Sequence, residues 1–211
     1  MSLDSAYDLC ILGAGPAGYA AAMRAHDLGK RVLLVEKDRV GGAGLHCGAL
    51  SSKTLWHLSN DYATAVRADR GYRATGVELS YAAVLASVRA AVDERRGTME
   101  QQLAALSEPS PPRGCVTLMR GAGRLASPTE VVITAKDGSE TRIVTQFVLL
   151  ATGSSPRLPP NVDVDGDKIV TSDHIESWPD FPESMVIVGA GVVGCEYATI
   201  FAHFRATRVE L

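Results

Sequence analysis

The sequence predicts an α/β protein of two similar strand–turn–helix–strand units, the second only begun, with a small antiparallel sheet between them. Three observations carry this expectation. The apolar run Leu9-Cys10-Ile11-Leu12 enters Gly13-Ala14-Gly15-Pro16-Ala17-Gly18 and then an alanine-rich stretch. A second apolar run, Met185-Val186-Ile187-Val188, enters Gly189-Ala190-Gly191-Val192-Val193-Gly194 with the same glycine spacing. Between them, Asp137-Gly138 separates two β-prone runs as a hairpin turn does.

The first unit reads as a buried strand, the glycine turn, a helix over Tyr19 to Leu28 closed by Gly29, and a second buried strand, Arg31 to Val35, ending at Glu36. Each glycine of such a turn has its own reason. Gly13 permits the tight turn, Gly15 leaves the backbone open to a pyrophosphate, and Gly18 lets helix and strand pack closely. The helix start offers free N–H groups and a positive dipole end to phosphates. Glu36, placed to accept the hydroxyls of an adenosine ribose, completes a dinucleotide-binding motif. Ser51 to Ala68 reads as a helix. Tyr81 to Leu106 reads as one long or broken helix, with Leu85, Val88, Val92, Met99, Leu103 and Leu106 at helical spacing. Val116–Leu118, Glu130–Thr134 and Thr141–Val144 read as three antiparallel strands. Phe147–Leu150 reads as a separate buried strand ending at Ala151-Thr152-Gly153-Ser154. Ser155 to Pro160 holds three prolines and marks a linker, which sets domains at 1–155 and 156–211. The second unit continues with a helix from Cys195 to Phe204 and a strand starting at Thr207. The acid or arginine that would separate NAD from NADP falls beyond Leu211.

The 211 residues are 46% hydrophobic and 21% charged, with a formal net charge of −3. That is a globular composition without the basic excess of a nucleic-acid binder. No apolar run is long enough to span a bilayer, and Met1-Ser2-Leu3-Asp4 lacks a secretory pattern. The four cysteines, Cys10, Cys47, Cys115 and Cys195, have neither disulfide-scaffold nor zinc spacing. The expectation is a reduced, cytoplasmic enzyme. His46 and His57 have no third residue spaced for a metal.

Two such motifs around a three-stranded insert and an Ala-Thr-Gly strand resemble the two-dinucleotide flavoproteins that include dihydrolipoamide dehydrogenase and glutathione reductase. The resemblance implies FAD on the first motif, NAD or NADP on the second, and coverage of about the first half of such an enzyme. The fold it implies is a Rossmann-like FAD-binding domain with an antiparallel three-stranded insert, plus the beginning of a second Rossmann-like NAD(P)-binding domain. In the disulfide reductases the stretch matching Gly41 to Lys53 carries two redox cysteines. Here those positions are Gly44 and Ala49, and the stretch holds no second cysteine beside Cys47. A dithiol relay needs two sulfurs, so disulfide reduction by the family route is not expected. His46, Gly48, Ser52, Lys53, Leu55 and His57, with Gly191 to Phe201, resemble the soluble pyridine nucleotide transhydrogenases. Gly44, Leu45 and Ser51 depart from that spelling.

What the resemblance implies is an FAD-dependent pyridine nucleotide oxidoreductase that passes a hydride from NAD(P)H through the flavin to NAD(P)⁺ or another acceptor. FAD falls on Gly13, Gly15, Pro16, Ala17, Gly18, Glu36, Lys37, Gly41, Gly42, Gly48 and Lys53, with Gly123 on the adenine side and Ala151, Thr152 and Gly153 at a strand end. The second nucleotide falls on Gly189, Gly191, Val192, Val193 and Gly194. Lys53 and Glu196 form an ion pair beside the flavin, expected at the domain junction with little water. The alternatives are a surface lysine and a helix-start acid. His46 is a flavin or nicotinamide contact or a packed loop histidine. Cys47 is a reactive thiol or inert, and Cys10 and Cys195 read as buried core residues. The family is homodimeric, through an interface domain that this sequence lacks. Two rival readings stand beside the enzyme: a truncated, catalytically silent nucleotide-binding remnant or fragment, and a dihydrolipoamide dehydrogenase-like protein that has lost its disulfide.

Overall fold

The computed structural model describes residues 7–211, so the reading of Met1 to Asp4 lies outside the described residues. The chain packs into two compact units. One takes the chain up to His46 together with Glu94–Ser155, and the other takes Cys47–Asp93 together with Pro156–Leu211.

The first unit is built on a six-stranded sheet of order β3-β2-β1-β6-β5-β4. Its elements are β1 (Tyr7–Leu12), α1 (Pro16–Asp27), β2 (Arg31–Glu36), α2 (Gly42–His46), β3 (Cys115–Arg120), β4 (Ala122–Ser127), β5 (Glu130–Thr134) and β6 (Glu140–Leu150). β2 lies between two parallel neighbours, with Leu33 opposite Cys10 on one side and Thr117 on the other. Val32, Leu33 and Leu34 are fully buried, as a parallel strand covered on both faces requires. α1 starts with Pro16 at its first position, where the missing N–H costs nothing, and has no acid in its first turn.

The antiparallel insert differs from the sequence expectation in three ways. The strand around Val116 runs parallel to β2 and belongs to the main sheet. The third antiparallel strand is instead β4, which pairs with β5. Thr141–Val144 and Phe147–Leu150 are one strand, β6. Its first half pairs antiparallel with β5 and its second half parallel with β1, and no glycine or proline interrupts it. Cys10, Leu12, Leu33, Val35, Val131 and Ile133 form one core under both parts of the sheet. β1 has β2 on one side and β6 on the other, so the crevice of this sheet opens at the carboxyl ends of β1 and β6.

The second unit holds α3 (Ala49–Ala65), β7 (Ser184–Val186), α5 (Val192–Phe204) and β8 (Arg208–Glu210). It also takes the first part of the long helix α4 (Tyr81–Ala105). β7 and β8 pair in parallel, with Met185 opposite Val209. Leu55, Val88, Ile175, Tyr197, Ile200, Phe201 and Phe204 form its core. Phe181 packs against Tyr81, Phe201 and Phe204, and the Tyr81 hydroxyl donates to the Ile175 carbonyl at 2.6 Å. The chain crosses from one unit to the other after His46, after Asp93 and after Ser155, so Cys47–Asp93 lies in the second unit and not in a 1–155 domain. In addition, α3 packs with α5, because its apolar stripe of Leu55, Leu58 and Tyr62 meets the aromatic face of that helix. Among the described residues no helix is long and apolar enough to cross a membrane.

Candidate dinucleotide-binding sites

The first glycine turn follows β1. Gly13 has φ +105°, and a Cβ on it would lie 2.3 Å from the Ala151 carbonyl oxygen, so turn and neighbouring strand end both demand glycine. A Cβ on Gly18 would lie 1.8 Å from the Gly13 carbonyl oxygen. Gly15 is different. Its φ of −70° is open to any residue, and a Cβ there would meet nothing nearer than the Gly42 Cα at 3.9 Å. Nothing in the chain's own packing requires glycine at 15. The bare position leaves an open cradle at the amino end of α1, whose uncompensated dipole and free N–H groups suit a pyrophosphate. By this observation the residues present fit a dinucleotide such as FAD.

Glu36 is 7% exposed and both its oxygens are engaged. Oε2 accepts the Ala14 N–H at 2.7 Å and Oε1 accepts the Asp38 N–H at 2.8 Å. The carboxylate thus clamps the glycine turn to the loop after β2, and each oxygen keeps a lone pair for a ribose hydroxyl. Lys37 beside it is exposed. Sequence reasoning missed Arg120. Its Nη1 donates to the Asp38 carbonyl and its Nη2 to Glu100, each at 2.8 Å. Arg120 stands opposite Glu36 in the β2–β3 register, which is visible only once β3 is known to be parallel.

The stretch after β2 lies on the turn. The Gly41 N–H donates to the Ala14 carbonyl at 2.9 Å, and a Cβ on Gly42 would lie 3.0 Å from the Gly15 Cα. His46 ends α2, with Nε2 2.9 Å from the Val40 carbonyl oxygen. Gly48 caps α3, and its carbonyl accepts the Ser52 N–H at 2.9 Å. Gly123 lies inside β4 rather than in a loop, and a Cβ on it would press on Leu12 and Val35. Ala151 follows β6 directly, with its N–H donating to the Leu12 carbonyl at 2.9 Å. Thr152 and Gly153 continue into an exposed irregular stretch, with Gly153 at φ +76°.

The second turn repeats the first. Gly189 has φ +116°, a Cβ on Gly194 would lie 2.0 Å from the Gly189 carbonyl oxygen, and one on Gly191 would meet nothing within 4 Å. Val192 and Val193 begin α5 and are 82% and 52% exposed. Lys53 Nζ lies 2.5 Å from Glu196 Oε1, and the Ser52 hydroxyl donates to the same oxygen at 3.3 Å. Both charges belong to the second unit, and Lys53 is 57% exposed against 13% for Glu196. The pair is therefore a partly solvated one, not the dry pair at a domain junction that the sequence suggested. Lys53, Trp56, Val192, Cys195, Glu196 and Thr199 line a cavity of about 370 Å³.

Cys10 is buried, and burial pushes its thiol up to about 11. Cys195 is exposed, against expectation, because it faces away from the core on the first turn of α5, where its Sγ approaches the Ala190 carbonyl. Cys47 is half-buried. Among the described residues no group of His, Cys, Asp or Glu is placed to hold a metal.

Two glycine turns of one design, an acid closing the second strand and an inserted antiparallel sheet define a two-motif dinucleotide-binding protein. The family profile described as pyridine nucleotide-disulphide oxidoreductase matches residues 7–211, and the chain belongs to that family. The family uses FAD and NAD(P). The chain is 35% identical over 215 residues to a dihydrolipoyl dehydrogenase of Bacillus subtilis, covering 97% of this chain and 44% of that protein. It is also 35% identical over 196 residues to dihydrolipoyl dehydrogenase 3 of Pseudomonas putida, covering 92% and 41%. Among solved structures, LpdA from Mycobacterium tuberculosis superposes with a TM-score of 0.83 at 27% identity, over 95% of this chain and 44% of that one. The flavoprotein disulfide reductase RclA from Escherichia coli superposes with a TM-score of 0.76 at 20% identity, over 96% and 41%, a likeness of fold alone. The chain thus spans less than half the length of these relatives.

Proposed function

We propose that this chain is the nucleotide-binding part of a transhydrogenase-like, FAD-dependent pyridine nucleotide oxidoreductase. It moves reducing equivalents from NAD(P)H to NAD(P)⁺ or another acceptor without a redox disulfide. The observation that carries the reading is the contrast between retained and lost parts. Both glycine cradles are open and Lys53 is paired with Glu196, while positions 44 and 49 hold no sulfur. In this reading residues 1–155 hold FAD and residues 156–211 begin the NAD(P) site.

FAD, when bound, supplies the two-electron chemistry, and the protein supplies binding, orientation and charge. Gly15 admits the pyrophosphate to the start of α1. Glu36 accepts from the ribose while keeping the turn in place. Lys53 provides the cation that stabilises negative charge on the flavin, and Glu196 holds its ammonium in position. Gly191, Val192 and Val193 present an open backbone to the second nucleotide. The likeness to dihydrolipoyl dehydrogenases favours a second reading, a protein of that type that has lost its disulfide.

Purified protein is assayed with NADH or NADPH against a dye, against a nicotinamide acceptor and against lipoamide. Dye and nicotinamide reduction without lipoamide reduction is the expected result. Lipoamide turnover that depends on Cys47 would overturn the disulfide-free mechanism. Absence of both flavin and turnover would leave the silent remnant as the correct reading.

A further inference from the structure

The acid placed for the ribose is held from a distance. Glu36 ends β2, and the chain beyond it, Lys37 to Arg39, is exposed. Asp38 in that loop is nevertheless gripped on both of its backbone groups. Its N–H donates to Glu36 Oε1 at 2.8 Å, and its carbonyl accepts from Arg120 Nη1 at 2.8 Å. The other arm of the guanidinium, Nη2, donates to Glu100 Oε1 at 2.8 Å. Arg120 ends β3 and Glu100 lies in α4, so two elements anchor one loop. The line of contacts runs from α4 through Arg120 and Asp38 to Glu36. From there Glu36 Oε2 reaches the Ala14 N–H of the glycine turn at 2.7 Å. All five residues belong to the first unit.

We infer that Arg120 is a positioning residue for the first nucleotide: by holding the Asp38 backbone it fixes Oε1 of Glu36, and so presets that carboxylate for a ribose diol. This rests on the reading of Glu36 as the acceptor for the adenosine ribose of FAD.

The physical argument concerns one torsion. The terminal torsion of a glutamate has no sharp staggered well, so a carboxylate held through one oxygen turns about that contact. The bond from Ala14 fixes Oε2. The bond from Asp38 fixes the plane, and it lasts only while the exposed loop stays in place. A guanidinium suits the task, because its two arms form a rigid fork and lose little freedom for each bond made. Glu100 balances its charge, so Arg120 holds the loop without competing for Glu36. Order present before the ligand arrives is not subtracted from its binding free energy.

The test is a mutant cycle on the full chain, Arg120→Met, Glu36→Ala and the double variant. The first readout is amide hydrogen exchange in the ligand-free chain, resolved at Asp38 by NMR. The control is the Thr145 N–H, which bonds the Thr129 carbonyl at 2.9 Å. In Arg120→Met the Asp38 amide should exchange about threefold to tenfold faster, as local opening requires, while Thr145 keeps its rate. The second readout is titration with FAD, followed by its absorbance and fluorescence. Arg120→Met should weaken FAD about threefold to tenfold, and by less than about twofold when residue 36 is already alanine. A merely structural role would give the same loss in both backgrounds. That equal loss, or a parental exchange rate at Asp38 in Arg120→Met, would overturn the inference. The exchange readout needs neither FAD nor a folded Glu36→Ala protein. Failure of the unsubstituted chain to bind FAD therefore counts against the proposed function alone, and the Asp38 amide still decides whether Arg120 holds the partner of Glu36.

Discussion

Glu36 has two tasks at the first turn, and they can be separated. Glu36→Ala should weaken FAD by about 1–3 kcal/mol, as for loss of charge-assisted hydrogen bonds. The same change leaves the buried Ala14 and the Asp38 N–H groups without their acceptor, so the ligand-free chain should also lose about 1–3 kcal/mol. Unchanged ligand-free unfolding would show that the clamp contributes nothing. At Lys53 the opposite split is expected. The lysine is more than half exposed, so Lys53→Ala should change stability by only about 0–1 kcal/mol. NADH-dependent dye reduction should fall about a hundredfold, the effect of removing one electrostatic stabiliser. Equal turnover in the variant would place Lys53 outside the chemistry. Cys10 gives a pH dependence. Its folded-state thiol titrates near 11 against an ordinary 9.0. The folded chain therefore keeps a proton that the unfolded chain releases, and stability falls as pH rises from about 9 to about 11. Cys10→Ala should flatten that slope, measurable by denaturant titration at each pH.

At the scale of elements, the glycine-punctuated pieces were legible and the pieces without punctuation were not. β1, α1 and β2 could be read because the apolar runs and Gly13, Gly15 and Gly18 dictate a strand, a turn and a helix in that order. The direction of β3 could not, because Val116–Leu118 looks the same in either orientation. What makes it parallel is the return of the chain after α3 and α4 to the far edge of β2. β4 was missed because Ala-Gly-Arg-Leu-Ala-Ser lacks β-branched residues, and its glycine serves close packing on Leu12 and Val35. β6 was divided at Thr145-Gln146, where a change of partner strand resembles a break in the apolar run. Within the candidate site, the open positions 15 and 191, the crowded positions 13, 18 and 194 and the positive φ of Gly13 and Gly189 follow the spacing rule closely. The exposure of Cys195 does not follow from its apolar neighbours.

For the whole molecule, the passage of Cys47–Asp93 into the second unit was not readable from the prolines after Ser155, nor was the partnership of α3 with α5. It depends on an aromatic cluster assembled from distant segments, Tyr62, Tyr81, Phe181, Phe201 and Phe204. That cluster is the core of the second unit, and Phe201 is 1% exposed. Phe201→Ala should cost about 3–5 kcal/mol in denaturant unfolding. A loss below about 1 kcal/mol would mean that the site relaxes to fill the space.

The central claim is that the first glycine turn is open for FAD and not for reasons of folding, and Gly15→Asp tests it most directly. Aspartate is a favoured residue at a helix N-cap, and position 15 is an N-cap with φ −70° and no neighbour closer than 3.9 Å to a would-be Cβ. The ligand-free variant should therefore unfold within about 2 °C of the parent, the equivalent of less than about 1 kcal/mol. Its side chain would fill the cradle and set a negative charge against the pyrophosphate. FAD titration should show at least about a hundredfold weaker binding, roughly 3 kcal/mol. FAD binding of parental strength in the Gly15→Asp protein would contradict the account.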